Sequence, residues 1–356
     1  MIKELLINTL SCENGKYFNI EDLPTWASRV QSDGRLEYIE INDKIVSYVA
    51  YYVNDERYFI TMVWTDPLYR GQGLSKKIIA KIVNSTDLPI DLSVHKDNPV
   101  YWLYRSLKFE NVAGNGNNIE MRRIKKIGCM QPYLFPYAGY FGLINSCDKI
   151  LFYDDVNFIK KGWIHRQKIL MNGTSHMFTI PVKKISQNKF INEIELLNEP
   201  KDISKILKTI ETLYKKAPHF DEVYPMIERV LTAKYNNLDE MVISSIVKTC
   251  EYIGIPIVWE RSSIAEVNTC GMERAERLIQ ITKNQGFSNY INVGPSELYT
   301  KSHFKENGVN LYFNKHNVKE YNQRGGPFVS HLSCIDFLMF NSKEECKKLI
   351  LNYEVI

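Results

Sequence analysis

The run Val63-Trp64-Thr65-Asp66-Pro67-Leu68-Tyr69-Arg70-Gly71-Gln72-Gly73-Leu74-Ser75 leads from a strand-like stretch, through a glycine-punctuated loop, into a helical pattern. Glycine lets a backbone approach a ligand closely. The first N–H groups of a helix have no partner inside it, and the helix dipole adds partial positive charge there. Such a terminus suits a pyrophosphate, and Arg70 can add charge-assisted contacts. A bare Gly-x-Gly is more often a turn. Here Asp66-Pro67 stops the strand just before it, and an amphipathic helix starts directly after it.

A second cluster begins at Gln131-Pro132-Tyr133-Leu134-Phe135-Pro136-Tyr137-Ala138-Gly139-Tyr140-Phe141. Prolines and a glycine shape an aromatic loop directly after a strand end, where α/β proteins place ligands. Asp154 and Asp155 follow another strand, and Trp163, His165 and Arg166 come soon after. Paired carboxylates, a tryptophan and an arginine suit a polar ligand bearing hydroxyls and an anion, since arginine forks phosphate or carboxylate and aromatic faces stack sugars or bases. Each piece also has a plain reading. The aspartates could cap a helix or close a turn, Trp163 could be core, and Lys160, Lys161 and Arg166 could be a solvated edge.

Asn98-Pro99-Val100-Tyr101-Trp102-Leu103-Tyr104-Arg105-Ser106-Leu107-Lys108-Phe109 completes the first pattern. With the Arg-Gly-Gln-Gly loop before it, the stretch from 1 to about 125 resembles the Gcn5-related N-acetyltransferase (GNAT) family, whose glycine loop is followed by an Asn-led helix ending near Leu-Tyr-x-x-x-Gly-Phe. The resemblance implies acetyl-CoA, or another acyl-CoA, as co-substrate. It implies Arg70, Gly71, Gln72, Gly73, Leu74 and Ser75 on the pyrophosphate, Val63, Trp64 and Thr65 along the thioester and pantetheine arm, and Asn98 in the same site. It assigns Tyr104 as the acid that protonates the leaving thiolate, a task a phenol of pKa about 10 can perform. The alternative for Tyr104 is a core tyrosine with its hydroxyl at the surface. Lys108 stands where the family has glycine, and Tyr101 where alanine is common. No general base is identifiable; Glu37, Glu40 and Asp66 read as solvated surface acids.

From about 127 to 340 the chain resembles the WbqC-like family: Gln-Pro-x-Tyr-x-Pro-x-x-Gly-Tyr-Phe, then Asp-Asp-Val-x-Phe and Trp-x-x-Arg. Later pieces agree: Pro218, Ser262-Ser263, 271–280, Gly294-Pro295, Tyr299 and 332–337. The resemblance implies a role on nucleotide-activated (dTDP- or UDP-linked) amino sugars of O-antigen, lipopolysaccharide and other surface polysaccharides. Substrate contacts then fall to Gln131, Tyr133, Tyr140, Asp154, Asp155, Trp163 and Arg166. Met130 stands where a histidine commonly precedes Gln-Pro, so His165 or His331 would have to replace it. Tyr104, Asp155, His165 and His331 are thus the candidate catalytic residues. The joint expectation is an acyl-CoA-dependent N-acyltransferase. Alternatives are a bifunctional enzyme whose second domain adds another acyl or aminoacyl group, and a non-catalytic CoA-binding domain that regulates or docks the second.

The elements that must hold these residues follow from periodicity. The spacing predicts helices at 20–31 and 73–84 and one led by Asn98. It predicts strands at 36–41, 45–53, 58–64, 90–94 and 119–124, with a loop at 113–118. Basic residues at 122–126 mark a boundary. Beyond it lie strands at 127–130, 150–153, 255–259, 290–293 and 309–313, and helices at 202–216, 238–253 and 272–283. Alternating strands and helices imply an α/β protein. A GNAT-type mixed sheet with flanking helices occupies 1–125, and an α/β domain with long helices occupies 126–356.

Lys+Arg 45 against Asp+Glu 41 gives a net charge of only +4, too slight to announce a nucleic-acid or membrane-surface partner. No apolar run reaches the ~18–20 residues of a membrane span. Glu4 and Glu13 interrupt any leader-like start, so a cytoplasmic location is expected. Seven cysteines (Cys12, Cys129, Cys147, Cys250, Cys270, Cys334, Cys346) form no CxxC pair, which favours buried reduced thiols over disulfides or zinc, and no metal is expected. A homodimer stays open.

Overall fold

A computed structural model describes residues 2–11, 20–186, 188–197, 199–294 and 298–356; Cys12, Glu13 and Pro295 lie outside these. The chain divides into two units, Met1–Lys125 and Lys126–Ile356.

The first unit runs α1 (Ile2–Leu10), α2 (Leu23–Asp33), β1 (Arg35–Ile41), β2 (Lys44–Val53), β3 (Tyr58–Thr65), α3 (Leu74–Asn84), β4 (Ile90–His95), α4 (Tyr101–Ser106), β5 (Glu110–Asn115) and β6 (Asn118–Arg123). Its sheet has the order β1-β2-β3-β4-β6-β5. Only β3 and β4 run parallel; the other neighbours are antiparallel. The β1–β2 turn uses Asn42 and Asp43 at φ 51° and 59°, the left-handed pair that a tight hairpin requires. Alternate residues of β2 serve opposite layers. Tyr48 and Ala50 pack with Leu6, Leu10, Ala27 and Val30 of α1 and α2. Val49 and Tyr51 pack with Ile78, Ile79 and Ile82 of α3 and with Tyr104 of α4. Each such aliphatic side chain contributes roughly 1.5–3 kcal/mol over exposure.

Local chemistry moves several boundaries. Asp22 accepts from the Thr25 N–H at 3.0 Å, so α2 starts at Leu23 rather than at 20. The expected loop at 113–118 is instead the tip of a β-hairpin, the end of β5 and the start of β6, turned at Gly116 with φ 60°. Asn98 does not cap α4 directly. Its Oδ1 accepts from the Val100 N–H at 3.0 Å in a turn one step earlier.

The second unit runs β7 (Ile127–Met130), α5 (Ala138–Ser146), β8 (Lys149–Phe152), β9 (Arg166–Met171), β10 (Thr174–Thr179), α6 (Pro200–Tyr214), α7 (Phe220–Thr232), α8 (Leu238–Ile253), β11 (Trp259–Arg261), α9 (Ser262–Ala265), α10 (Arg274–Asn284), β12 (Asn289–Val293), α11 (Lys301–Glu306), β13 (Asn310–His316), α12 (Cys334–Phe340), α13 (Lys343–Ile350) and β14 (Tyr353–Val355). Strand order is β11-β8-β7-β12-β13-β14, parallel except for β14. On one side the core joins α5–α8, α12, α13 and the β9–β10 hairpin. On the other, Leu278, Ile279, Ile281 and Phe304 cover Ile127, Cys129, Leu151, Tyr290 and Leu311.

The strand expected at 255–259 begins only at Trp259. Gly254 ends α8 at φ 79°, the Ile255 N–H closes back on the Cys250 carbonyl at 2.9 Å, and Pro256 has no N–H for a ladder. Among the described cysteines, all free, Cys270 is exposed and the rest are buried. No described helix is long and apolar enough to cross a membrane.

Candidate functional site

The first site begins with one surplus residue. Ala50 pairs with Met62 and Tyr51 with Ile60, so Thr61 is a bulge in β3. A one-residue slip turns the side chains over. Ile60 packs in the α3/α4 core, whereas Met62 and Trp64 pack in the α1/α2 core. The β3–β4 ladder stops at the same place, its last pair being Ile60 with Leu92. Beyond it the parallel strands separate, and a cleft of about 350 Å³ opens between 60–65 of β3 and 92–95 of β4. Backbone groups on the β4 side of β3 have no strand partner beyond Ile60 among the described residues.

The glycine loop closes one end of this cleft. Gly71 and Gly73 adopt φ 79° and 72°, and Gly73 is the N-cap of α3. Nothing lies within 4 Å of a Cβ built at either position. Among the described residues the N–H groups of Gly71, Gln72, Gly73, Leu74 and Ser75 make no hydrogen bond. Arg70 is exposed, its Nε donating to the Thr65 carbonyl at 3.1 Å. Asp66 is not a solvated acid. It is 6% exposed, accepts from the Leu68 N–H at 3.0 Å and from Lys44 Nζ at 2.7 Å, and lies below the usual carboxylate pKa because of these hydrogen bonds. Tyr104 lines the cleft, is buried, and has no hydrogen bond to its hydroxyl among the described residues. Burial raises its pKa well above that of a free phenol, so it is protonated at neutral pH.

The second unit has its own cavity, about 700 Å³, at the carboxyl ends of β7 and β12. These neighbours connect onward in opposite directions, β7 toward β8 and β12 toward β13, which makes this the switch point of the sheet. Cys129, Met130, Gln131, Tyr153, Asp155, Asn292 and Tyr299 line it, with Arg274 and Arg277 from α10. Beneath it the aspartate pair is fully engaged. Asp154 accepts from the Ser263 N–H at 2.9 Å and Oγ at 2.6 Å. Asp155 accepts from Ser262 Oγ and from Arg277 Nη2, each at 2.5 Å. Arg277 also donates from Nε to Thr269 at 3.1 Å and lies over the Tyr153 ring at 4.7 Å.

A model of the WbqC-like protein family matches residues 131–348, more than half of the chain. The chain belongs to the WbqC-like protein family. A model of the acetyltransferase (GNAT) family matches residues 4–100, so an acetyltransferase domain precedes the WbqC-like unit. The uncharacterised protein Rv1507c of Mycobacterium tuberculosis is 26% identical over 223 residues, 61% of this chain and 94% of that protein. Among solved structures, the PaiA N-acetyltransferase of Thermoplasma acidophilum in complex with coenzyme A is 15% identical with a TM-score of 0.27, covering 35% of this chain and 87% of that one. The ribosomal-protein-S18-alanine N-acetyltransferase of Escherichia coli is 17% identical with a TM-score of 0.29, covering 33% and 85%.

In the GNAT unit, Val63, Trp64, Thr65, Arg70, Gly71, Gly73, Leu74, Ser75, Asn98 and Tyr104 all line the cleft, and Gln72 does not. The β4 lip, with Ser93 and His95, was not foreseen. Glu37 is bound to Lys81 at 2.6 Å, and neither it nor Glu40 reaches the cleft.

In the WbqC-like unit, only Gln131 and Asp155 of the expected substrate and catalytic residues line the cavity. Asp154 is wholly buried behind it. Tyr140 is core, its hydroxyl donating to the Gln131 carbonyl at 2.9 Å, and Tyr133 leans on it. Trp163 is 40% exposed under Lys168. Arg166 donates to the carbonyls of Gly162 and Lys161 and holds its own loop. His165 is buried against Phe158, and that burial lowers its pKa to about 4. His331 lies in a separate shallow pocket beside Tyr137. No described histidine lines the larger cavity.

Proposed function

We propose that the GNAT unit transfers an acyl group, acetyl in the simplest case, from acyl-CoA to the amine of a dTDP- or UDP-linked amino sugar. The observation that carries this reading is the cleft itself: an unzipped strand pair that runs into five unspent backbone N–H groups, with a protonated Tyr104 on its wall. The amides of 71–75 hold the pyrophosphate, and the thioester arm lies between β3 and β4. The sugar amine attacks the thioester carbon. The oxyanion is met by a β3 backbone N–H near Trp64, the C–S bond breaks, Tyr104 gives its proton to the thiolate, and the proton shed by the acylated nitrogen returns through water to the tyrosinate. Membership of the WbqC-like family, whose resemblance implies a role on surface-polysaccharide sugars, supports the sugar half of the reading.

The test is release of free CoA when the full chain meets acetyl-CoA and a panel of dTDP- and UDP-amino sugars. No release across the panel, with CoA binding intact, rejects the acceptor class. A second reading, in which the WbqC-like unit adds its own acyl group, is favoured by the separate cavity of about 700 Å³. Two mass increments on one sugar, each lost with substitutions in a different unit, would establish it.

A further inference from the structure

The cavity of the WbqC-like unit has a cationic wall that no part of the acyl-transfer reading uses. Arg277 is 3% exposed, yet it is fixed at the cavity edge rather than hidden beneath it. Asp155 and Thr269 take one Nη2–H and the Nε–H, and Tyr153 supports the guanidinium plane from below. Among the described residues Nη1 makes no hydrogen bond to Asp155 or Thr269, and the Tyr153 hydroxyl also draws on this guanidinium. A buried guanidinium held this firmly is preorganised to bind an oxyanion in two places at once.

Three further features converge there. Arg274 is the first residue of the 11-residue helix α10 and lines the same cavity, whereas Glu273 at the N-cap and Glu276 in the first turn, which offset part of the helix dipole, do not line it. The approach to the helix, Cys270, Gly271 and Met272, also lines the cavity, and Gly271 takes φ 85° with open space at its Cβ position. Aromatic rings of Tyr153 and Tyr299 and the amides of Gln131 and Asn292 supply a stacking wall and hydroxyl partners. Among the described residues the one acid in the lining is Asp155, and its charge is already met by Arg277 and Ser262. The volume of about 700 Å³ falls within the usual range of roughly 300–1,000 Å³ for small-molecule sites.

We infer that this cavity is a nucleoside diphosphate site, with the diphosphate on Arg277 and the start of α10 and the nucleoside along the tyrosine and amide wall. It rests on the proposed function only for the choice of nucleotide. The site is distinct from the cleft assigned to CoA.

Calorimetry on the full chain saturated with CoA tests it, using uridine diphosphate, thymidine diphosphate, uridine and inorganic pyrophosphate as probes. At least one diphosphate should saturate, and uridine should bind about tenfold or more weakly by comparison. Added salt should weaken the diphosphate. Arg277→Met should cost about tenfold or more. Because that change leaves Asp155 unpaired and can disturb folding, the exposed Arg274→Glu serves as a second variant and should weaken binding about tenfold as well. Failure of both diphosphates to bind overturns the inference, as does binding indifferent to both substitutions or displaced by CoA. CoA binding measured alone separates the outcomes: CoA without nucleotide sinks this site and spares the transferase cleft, and nucleotide without CoA does the reverse.

Discussion

Gly73→Ala isolates the backbone contribution of the loop. The residue sits at φ 72°, ψ 18°, and nothing lies within 4 Å of an added Cβ. The substitution therefore creates no clash and removes no side-chain contact. What remains is the cost of holding alanine in the left-handed region, roughly 1–2 kcal/mol. If the loop stays in place, that cost appears as lost stability. If it relaxes to a negative φ, the N–H groups of 71–75 lose their common direction, and the same 1–2 kcal/mol must be restored on binding. At 1.4 kcal/mol per tenfold, CoA affinity then falls by about 5–30-fold. Gly116→Ala is the matched control. It too has a positive φ (60°) and an open Cβ position, and it sits in the β5–β6 turn. Thermal unfolding should report a similar loss for both variants, whereas titration with CoA should weaken for Gly73→Ala alone. Equal CoA affinities in the two variants would refute the claim that this loop geometry holds the ligand.

Other expectations follow from single side chains. Tyr104→Phe should reduce CoA release by about 10²–10⁴-fold with little change in CoA affinity, read by comparing turnover with titration. Lys108 takes φ 69° where a glycine would be unstrained, so Lys108→Gly should stabilise the GNAT unit by about 1 kcal/mol, seen as a higher unfolding temperature. Asp239 is 1% exposed, and burial raises its pKa to about 6 despite Arg261 at 3.3 Å. A carboxyl whose folded pKa lies above its unfolded value of about 3.9 binds more protons in the folded state, so its contribution falls as pH rises from about 4 through 6. Asp239→Asn should accordingly gain stability relative to the parent more at pH 8 than at pH 5 in denaturant titrations. A gain independent of pH would show that the carboxyl does not titrate in that window.

The lining of the candidate GNAT cleft was largely legible in the sequence because the loop at its end is shaped by local backbone preferences. Gly71, Gly73 and Asp66-Pro67 dictate loop conformation locally, and their neighbours in sequence are their neighbours in space. The β4 lip was not legible: Ser93 and His95 carry no pattern, and nothing local shows that Thr61 is surplus in its ladder. The aromatic run at 131–141 misled for a different reason. Rings suit cores and clefts equally, and here Pro132, Leu134, Phe135 and Pro136 are buried. Phe135 is clamped by Ser245 and Ser333 at 2.9 and 2.7 Å. The aspartate pair was visible, but Asp155 finds its partner Arg277 122 residues later, a pairing no spacing rule reaches. Helix α7 shows the apolar period at Val223, Met226, Ile227, Val230 and Leu231, hidden by Pro225 inside it. The Asn172-Gly173 turn of the β9–β10 hairpin carries a local signal, both residues at positive φ between paired strands.

The bulge at Thr61 also says which changes the cleft proposed for the donor should tolerate. A molecule with amide linkages can dock there as if it were one more strand, recognised through main-chain groups that every residue type shares. Substitutions along 63–65 that preserve the pleat could then accumulate with little effect on the donor. Removing the surplus residue at 61 would instead make Ile60 and Met62 consecutive in a regular ladder, each later side chain keeping its layer, and would take away the irregularity at which β3 and β4 part.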